Sequence, residues 1–446
     1  MNFDKIGLHV PEILLPSKET DLTKWSVVAC DQYTSQPDYW NQAKDISKNA
    51  PSSLNVIFPE VYLEDSDGDQ RIENINASMQ QYLDEGVLQT MPNKGFVLVD
   101  RKTSQAPSRK GLVVAIDLEQ YDFNKGSQTL IRATEGTIVD RLPPRVKVRK
   151  DAAIELPHIM VLIDDPQRTV IEPLFDKNPT EIYNFELMID SGHIKGYAID
   201  TPELIQQVAD ALETLASPDV FTKKYNITDD KHSAPLLYAM GDGNHSLATA
   251  KAIWENIKEE ADDVASVMDN LARYALVELV NIHDEGLVFE PIHRLVFDVN
   301  PEQLLTDMQT HFAGNCSVQR CDNEADMKSK AAAATGDNKH IVPFNDENGY
   351  GYIQIDNPTY TLELATLESF LNDYLEKVGG KVDFIHGEEV MNELGIKSGN
   401  MGFFFPPISK NSLFKTIIFD GVLPRKTFSM GEADEKRFYL EARKIK

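Results

Sequence analysis

The sequence predicts a mixed α/β protein of the α+β kind, whose sheets combine parallel and antiparallel strands. Apolar runs of strand length and amphipathic patterns of helical period both occur throughout the 446 residues. They alternate without a regular βαβ rhythm, which favours mixed sheets over a doubly wound parallel sheet. The length allows two or three domains, or one elaborated domain with insertions. Because charge does not shift sharply anywhere, we place one boundary, between a core with an N-terminal elaboration at 1–290 and a C-terminal α/β region at 291–446.

Short apolar runs bounded by polar or glycine-containing turns predict the strands. They lie at 25–30, 95–100, 111–118, 156–164, 192–200, 236–240, 274–280 and 287–297. The polar segment 101–110 suits the turn of a hairpin between the second and third runs. The run 402–409 contains two prolines, which cannot donate to a ladder, so we expect an edge or terminal strand there.

Apolar residues at helical spacing predict helices, and they do so at 70–86, 202–215, 245–260 and 364–375. Thr201 can cap the second helix, and Pro202 suits its first turn. Gly379 and Gly380 end the fourth. The polar stretch 217–235 is expected to be a loop.

The net charge of −27, from 44 Lys and Arg against 71 Asp and Glu, limits the partners. Such a field repels nucleic-acid phosphates and anionic membranes, so we expect neither as a partner. No run reaches the roughly 18 apolar residues of a membrane helix, and the first residues lack a signal-peptide pattern. Cys30, Cys316 and Cys321 have no zinc-ligand spacing, and Cys30 has no activating neighbour. We expect a cytoplasmic protein with small-molecule partners and reduced thiols.

Residues 240–250, MGDGNHSLATA, are the strongest candidate for a functional site. An apolar strand precedes them, two glycines permit a tight turn around Asp242, and a helix follows. First-turn N–H groups and the positive end of the helix dipole make such a turn an anion site. Asn244 and His245 can donate to a phosphate, and Asp242 can bind a cation. The alternative is structural: Asn244 caps the helix and His245 satisfies a backbone group.

This segment resembles the DGHHRxxAA box of the ParB/sulfiredoxin-like superfamily, which binds nucleotide phosphates. Over a wider span the chain resembles the domain-of-unknown-function family 1015. The further segments that carry the likeness are YDF at 121–123, RATEGTIVDRLPPR from Arg132, EPIHRLVF at 290–297 and LPRKTF at 423–428. The resemblance implies a ParB/sulfiredoxin-like core elaborated by insertions, in a superfamily that includes free-serine kinases.

The chain departs from the box at two positions. Ser246 stands where the box usually has arginine, and Asn244 where it often has histidine. The arginine that would bind a phosphate is therefore missing from the turn, and a cation must come from another segment. The candidates are Arg132, Arg141, Arg145, Arg294, Arg425 and Lys426. The residues assigned to nucleotide binding are Gly241, Gly243, Asn244, Ser246, Arg132, Arg141, Arg145 and Arg294.

Glu135 is the candidate general base toward a substrate hydroxyl, because it follows the apolar run 130–133 and precedes a glycine. The resemblance supports this role, since the free-serine kinases use a glutamate comparably; the alternative is a solvated turn glutamate. The segment 141–150, RLPPRVKVRK, concentrates five basic residues in an acidic protein. It is either a phosphate-facing patch or a surface strand paired with nearby acids.

Other polar positions are weaker candidates. His293 is expected to be a satisfied buried histidine, although the adjacent Arg294 makes a polar site conceivable. His283 and Asp284 are expected to form a turn pair. The segment 31–33 follows a predicted strand and suits a substrate loop.

Three functions fit this set of residues. The first is phosphotransfer, in which ATP or ADP binds the turn with Mg²⁺ at Asp242. Glu135 would then assist attack by a small hydroxylated metabolite such as an amino acid, with Asp242 and His245 completing the catalytic set. The second is a non-catalytic nucleotide-binding regulatory protein. The third is a metal-assisted hydrolase built on Asp242, His245 and Glu135, for which the spacing gives no metal signature.

Overall fold

The computed structural model describes residues 2–446 and has the mixed α/β architecture that the sequence predicts. The strands are β1 (Asn2–Phe3), β2 (Leu8–His9), β3 (Leu14–Pro16), β4 (Leu88–Thr90), β5 (Phe96–Lys102), β6 (Arg109–Asp117), β7 (Tyr121–Asp122), β8 (Ile131–Arg132), β9 (Ile154–Glu155), β10 (Met160–Ile163), β11 (Thr180–Glu186), β12 (His193–Ile199), β13 (Tyr238–Asp242), β14 (Tyr274–Asn281), β15 (Glu290–Phe297), β16 (Cys316–Cys321), β17 (Lys339–Asp346), β18 (Gly349–Asp356), β19 (Lys381–His386), β20 (Met401–Phe403), β21 (Phe428–Ser429) and β22 (Arg443–Lys444).

The α-helices are α1 (Leu22–Trp25), α2 (Pro37–Ser47), α3 (Gly68–Asp84), α4 (Leu142–Arg149), α5 (Pro202–Leu215), α6 (Pro218–Tyr225), α7 (Asn244–Glu260), α8 (Pro301–His311), α9 (Glu324–Ala334), α10 (Glu363–Val378), α11 (Glu388–Gly395) and α12 (Lys410–Asp420). Among residues 2–446, none of the helices combines the length and the apolar character needed to cross a membrane.

The chain divides into two compact units. The first comprises the residues up to Val288 together with Gly431–Lys446, and the second comprises Phe289–Met430. The sequence did not predict that the C-terminal segment returns to the first unit, because no local pattern in the segment names its distant partners.

A large mixed sheet organises the first unit, in the order β11-β12-β5-β6-β14-β10-β13-β8-β7, with β2 also pairing with β6. Both faces of this sheet are buried, and β5 shows why. Phe96 and Leu98 enter an apolar cluster that includes Trp254, whereas Val97 and Val99 enter a cluster on the other face that includes Trp40. Alternation along a strand places successive side chains on opposite faces, so each face of β5 contributes to a separate core.

Several strands of this sheet have ends that lie side by side along one edge. β13 pairs in parallel with β8 (Ala239↔Arg132) and antiparallel with β10 (Met160↔Asp242). The carboxyl ends of β13 and β8 and the amino end of β10 therefore lie along the same edge. Residues just beyond these ends are brought together although they are far apart in sequence.

The second unit has an antiparallel sheet in the order β16-β18-β17-β20-β15-β19. The expectation of an edge or terminal strand at 402–409 is wrong, since β20 pairs with both β15 and β17. The strand ends at Phe403, before the two prolines, so they remove no donor from its ladder.

Most of the predicted helices and strands are confirmed, including the β5–β6 hairpin and α5, whose Thr201 hydroxyl accepts from the Leu204 N–H. Three interpretations are wrong. Residues 25–30 form no regular strand: α1 occupies their start, and only Val28 makes a bridge, to Phe438. The expected loop 217–235 contains α6, and the basic segment 141–150 contains α4 rather than a strand. α6 begins with Pro218, and α4 has Pro143 and Pro144 in its first turn, where proline is tolerated.

Candidate functional site

The turn between β13 and α7 has the strand–turn–helix form that the sequence predicts. Gly243 adopts a left-handed conformation (φ 81°, ψ 28°), and its carbonyl accepts from the N–H groups of Ser246 (3.0 Å) and Leu247 (3.1 Å). A Cβ at Gly243 would lie 3.1 Å from the Cα of Ile159. Glycine is therefore required here both for the backbone angle and for the close approach of the neighbouring chain.

The start of α7 has the features of an anion site. The first N–H groups of an α-helix have no partner within the helix, and they lie at the positive end of its dipole. No side chain caps α7, so the alternative in which Asn244 is the cap is wrong. The Asn244 Oδ1 atom is buried and, within the described residues, has no hydrogen-bond partner. We refer to residues 241–246 as the α7 turn.

Lys436 supplies the cation at the α7 turn. Its Nζ lies 3.2 Å from Asp242 Oδ2, and its side chain is 15% exposed. The other carboxylate oxygen, Oδ1, accepts from the Gly243 N–H at 2.9 Å. Lys436 was not among the candidates from the sequence, because it reaches the turn only through the return of Gly431–Lys446 to the first unit.

Of the arginines proposed from the first unit, Arg132 and Arg145 have other partners. Arg132 is buried and donates to the carbonyls of Thr129 and Ala234, both at 2.8 Å, and burial lowers its pKa to about 10. Arg132 therefore links the loop that contains Thr129 to the loop that contains Ala234. Arg141 is exposed at the start of α4, and its carbonyl accepts from Arg145.

The candidates from the second unit are also held by structural contacts or lie at its surface. Arg294 is buried, pairs with Glu368 and donates to the carbonyls of Arg425 (2.7 Å) and Lys426 (3.0 Å). Arg425 and Lys426 themselves have exposed side chains. Next to Arg294, His293 accepts from a backbone N–H, and burial lowers its pKa to about 4, as expected for a satisfied buried histidine.

Glu135 follows β8 at the same sheet edge as the α7 turn. Arg132 of β8 pairs with Ala239 of β13, and Glu135 and Asp242 each lie three residues beyond those partners. Glu135 is half-buried, as is His245 in the first turn of α7. The His245 carbonyl accepts from the Thr249 hydroxyl at 2.7 Å.

A cleft opens beside the α7 turn and encloses about 890 Å³, counting the part open to solvent. Its walls are mainly apolar and come from α3, α4 and the segment 56–63. Its polar lining includes Ser246, His158 and Tyr439, together with Arg145 paired to Glu60 at 2.5 Å.

His158 is the central polar residue of the cleft, and the sequence did not single it out. Its Nε2 is 2.8 Å from Ser246 Oγ, and its Nδ1 is 2.7 Å from the Tyr439 hydroxyl. The Asp31 carboxylate lies 3.9 Å from the same Nε2. The one sequence feature that could have indicated His158 is its position directly before the apolar run of β10. No sequence feature indicates Tyr439, because its place beside His158 depends on the return of the C-terminal segment to the first unit.

Two further predictions about site residues have clear outcomes. His283 and Asp284 lie in a turn closed by the Asp284 N–H, which donates to the Asn281 carbonyl at 2.9 Å, as predicted. Their side chains have separate partners: His283 lies 2.7 Å from Asp164, and Asp284 accepts from the Gly286 N–H. The segment 31–33 does contribute a residue beside the cleft, Asp31. Burial raises the pKa of the Cys30 thiol, which does not favour a thiolate nucleophile.

The site has no set of side chains suited to holding a metal by themselves. Across residues 2–446, no three His, Cys, Asp or Glu side chains are grouped as they would be around an ion. Asp242, predicted as the ligand of Mg²⁺, is instead engaged by Lys436 and by the Gly243 N–H. The α7 turn thus balances the Asp242 charge with an ammonium group.

A family model described as "Protein of unknown function (DUF1015)" matches residues 14–371. No curated protein matches the chain. Similar solved structures include a conserved hypothetical protein from Pyrococcus furiosus, with 10% identity and a TM-score of 0.35, covering 75% of this chain and 95% of that one. They also include a free serine kinase in complex with AMP, with 9% identity and a TM-score of 0.37, covering 74% and 90% of the two chains. Likenesses this distant carry no conclusion about what this chain does.

Proposed function

The chain belongs to the DUF1015 family, whose description records no function, and from that premise we propose that it is a nucleotide-dependent phosphotransferase. A nucleotide, ATP or ADP, binds with its phosphates at the α7 turn, and a small hydroxylated molecule accepts the phosphoryl group. The observation that carries the proposal is the Lys436 ammonium beside the start of α7, 3.2 Å from Asp242.

The chemistry of the α7 turn suits a phosphate. Backbone N–H groups at a helix start bind anions, and the helix dipole adds to the attraction. A lysine beside such a turn adds a mobile positive charge, which compensates for the arginine that Ser246 replaces. Asp242 balances the Lys436 charge in this structure, so the N–H groups and dipole of α7 supply the positive field for an anion, and Lys436 adds to that field when a phosphate replaces Asp242 as its partner.

Glu135 is the proposed proton acceptor in the transfer. The acceptor oxygen forms a bond to phosphorus, the bond from phosphorus to the leaving phosphate oxygen breaks, and the hydroxyl proton passes to Glu135. This assignment is supported by the parallel pairing of β8 and β13, which brings Glu135 to the edge of the sheet that carries the α7 turn. His245, in the first turn of α7, is proposed to donate to the phosphate.

Mg²⁺ commonly accompanies nucleotide phosphates, keeping several waters and binding one or two carboxylates. Asp242 is the carboxylate at the turn, but both of its oxygens already have partners. We therefore assign no metal ligand in this chain and derive no step through a metal. The metal-assisted hydrolase is not proposed, because Asp242, His245 and Glu135 do not form a metal-binding group among residues 2–446.

Nucleotide turnover tests the catalytic part of the proposal. The protein is incubated with ATP or ADP and a panel of hydroxylated metabolites, and nucleotide consumption and nucleotide-induced changes in melting temperature are both measured. We expect Glu135→Gln to slow consumption at least about 100-fold, as for loss of a general base, while the melting shift remains. The matched control Glu213→Gln, at an exposed position of α5, should behave as the parent protein does.

Two outcomes would contradict phosphotransfer. If neither nucleotide is consumed and neither changes the melting temperature, the α7 turn is not a nucleotide site. If nucleotide binds but is never consumed, the protein is a nucleotide-binding regulator without catalysis.

A further inference from the structure

The cleft beside the α7 turn has a composition that restricts what can fill it. Its walls are formed by side chains such as Ile75 and Met79 of α3, Phe58, and Val148 of α4. Filling an apolar cleft with an apolar group removes both surfaces from water, which favours binding. A small, fully hydrophilic molecule would gain little here and would lose hydration of its charges.

The charged residues of the cleft lining are already paired with one another. Arg145 pairs with Glu60, and Arg149 pairs with the buried Glu155. Glu155 also pairs with Arg443, and the lining itself contains two arginines and two glutamates. The walls offer no net charge to a ligand, which favours a body that is uncharged as well as apolar.

The polar end of the cleft is a directed chain of hydrogen bonds. The Cys30 N–H donates to the Tyr439 hydroxyl oxygen at 3.1 Å, and burial keeps that hydroxyl protonated by raising its pKa. The hydroxyl proton goes to His158 Nδ1, because an imidazole nitrogen is a far better acceptor than the thiol sulfur nearby. His158 then carries its own proton on Nε2 and donates it to Ser246 Oγ. The Ser246 hydroxyl hydrogen remains available to donate into the cleft.

Asp31 restricts which polar group of a ligand can accept the Ser246 hydroxyl hydrogen. Its Oδ2 lies 3.9 Å from His158 Nε2, the nitrogen that also contacts Ser246. A ligand carboxylate placed beside Ser246 would face the carboxylate of Asp31 and be repelled. A ligand hydroxyl can accept from Ser246 and also donate to Asp31, so it satisfies both groups.

We propose that this cleft binds an uncharged alcohol with an aromatic or branched aliphatic body. Its hydroxyl lies between Ser246 and Asp31, and its body packs against α3 and α4. Binding of this alcohol does not depend on the proposed function. The expectation from the sequence was a small hydroxylated metabolite such as an amino acid, and this alcohol differs from an amino acid in carrying no charge.

Calorimetric titration without nucleotide tests the cleft, with 2-phenylethanol, phenylacetate and L-serine as probes. We expect 2-phenylethanol to bind at least about tenfold more tightly than either of the others, a difference of about 1.4 kcal/mol. Asp31→Asn should narrow the preference for the alcohol over phenylacetate, because it removes the repelling charge. Equal or tighter binding of phenylacetate or L-serine by the parent protein would overturn the proposal.

Variants with a larger side chain in the cleft test whether the alcohol binds there. Met79→Trp should weaken 2-phenylethanol binding at least about tenfold, whereas Gln80→Trp, at the next and exposed position of α3, should leave it unchanged. Val148→Trp fills the cleft from α4 and serves if Met79→Trp fails to fold. Unchanged binding in the folded variant would place the alcohol elsewhere and overturn the proposal. A nucleotide-induced melting shift, measured on the same proteins, reports on the proposed function separately.

Discussion

Gly243 is the residue on which the form of the α7 turn depends most directly. Its left-handed backbone ends β13 and starts α7 within one residue, and its missing Cβ admits Ile159. The tight turn could be predicted from the sequence, since a glycine beside Asp242 indicates one. The contact with Ile159 could not, because it joins segments about 80 positions apart that only the sheet brings together.

Replacing this glycine should damage both the fold and the site. We expect Gly243→Ala to lower the free energy of unfolding by about 1–2 kcal/mol for the left-handed backbone, with an added cost from the 3.1 Å approach to Ile159. Gly126→Ala is the matched control, because Gly126 has nearly the same φ, 80°, and open space around it. Urea unfolding measures the difference, and nucleotide-induced melting shifts show whether the site is altered. Equal effects of the two substitutions on both measurements would contradict the role of Gly243.

At the scale of secondary-structure elements, the segment Gly431–Lys446 contributes what the local motif lacks. It provides Lys436 to the α7 turn and Tyr439 to the cleft. It is held by buried ion pairs: Arg437 contacts both Glu278 of β14 and Glu441. The sequence predicts the α7 turn, but it cannot predict this segment's position, since charged residues at a chain end ordinarily indicate a solvated surface.

Removing the buried ion pairs of Arg437 should lower the stability of the folded protein. Arg437→Met leaves two carboxylates buried without their partner, and we expect it to lower the free energy of unfolding by about 3–5 kcal/mol. Arg71→Met serves as the comparison, because Arg71 pairs with Asp65 and Asp67 at the surface, where such pairs contribute less than about 1 kcal/mol. Denaturant titration of both variants gives the two values. A loss below 1 kcal/mol for Arg437→Met would show that the segment is not held by these pairs.

At the scale of the whole molecule, the sequence predicts the class of fold and many of its elements. It does so because β5 and β6 are short continuous apolar runs, and α5 and α7 have apolar residues at helical spacing. It does not predict sheet order, which depends on pairing between distant strands, and so it misses the meeting of β8, β10 and β13 at one edge. His158 and Lys436 could not be predicted as site residues for the same reason. No local pattern marks either residue, and each contacts its partners only in the folded chain.

The central claim is that Lys436 and the α7 turn together form a nucleotide phosphate site, and calorimetric titration with ATP and ADP tests it most directly. We expect the parent protein to bind at least one of them, and Lys436→Gln to bind it at least about tenfold more weakly, because a charge-assisted contact is lost. Lys94→Gln, which removes an exposed lysine paired with Glu12, should bind as the parent does. Absence of nucleotide binding by the parent, or equal binding by Lys436→Gln, would contradict the claim.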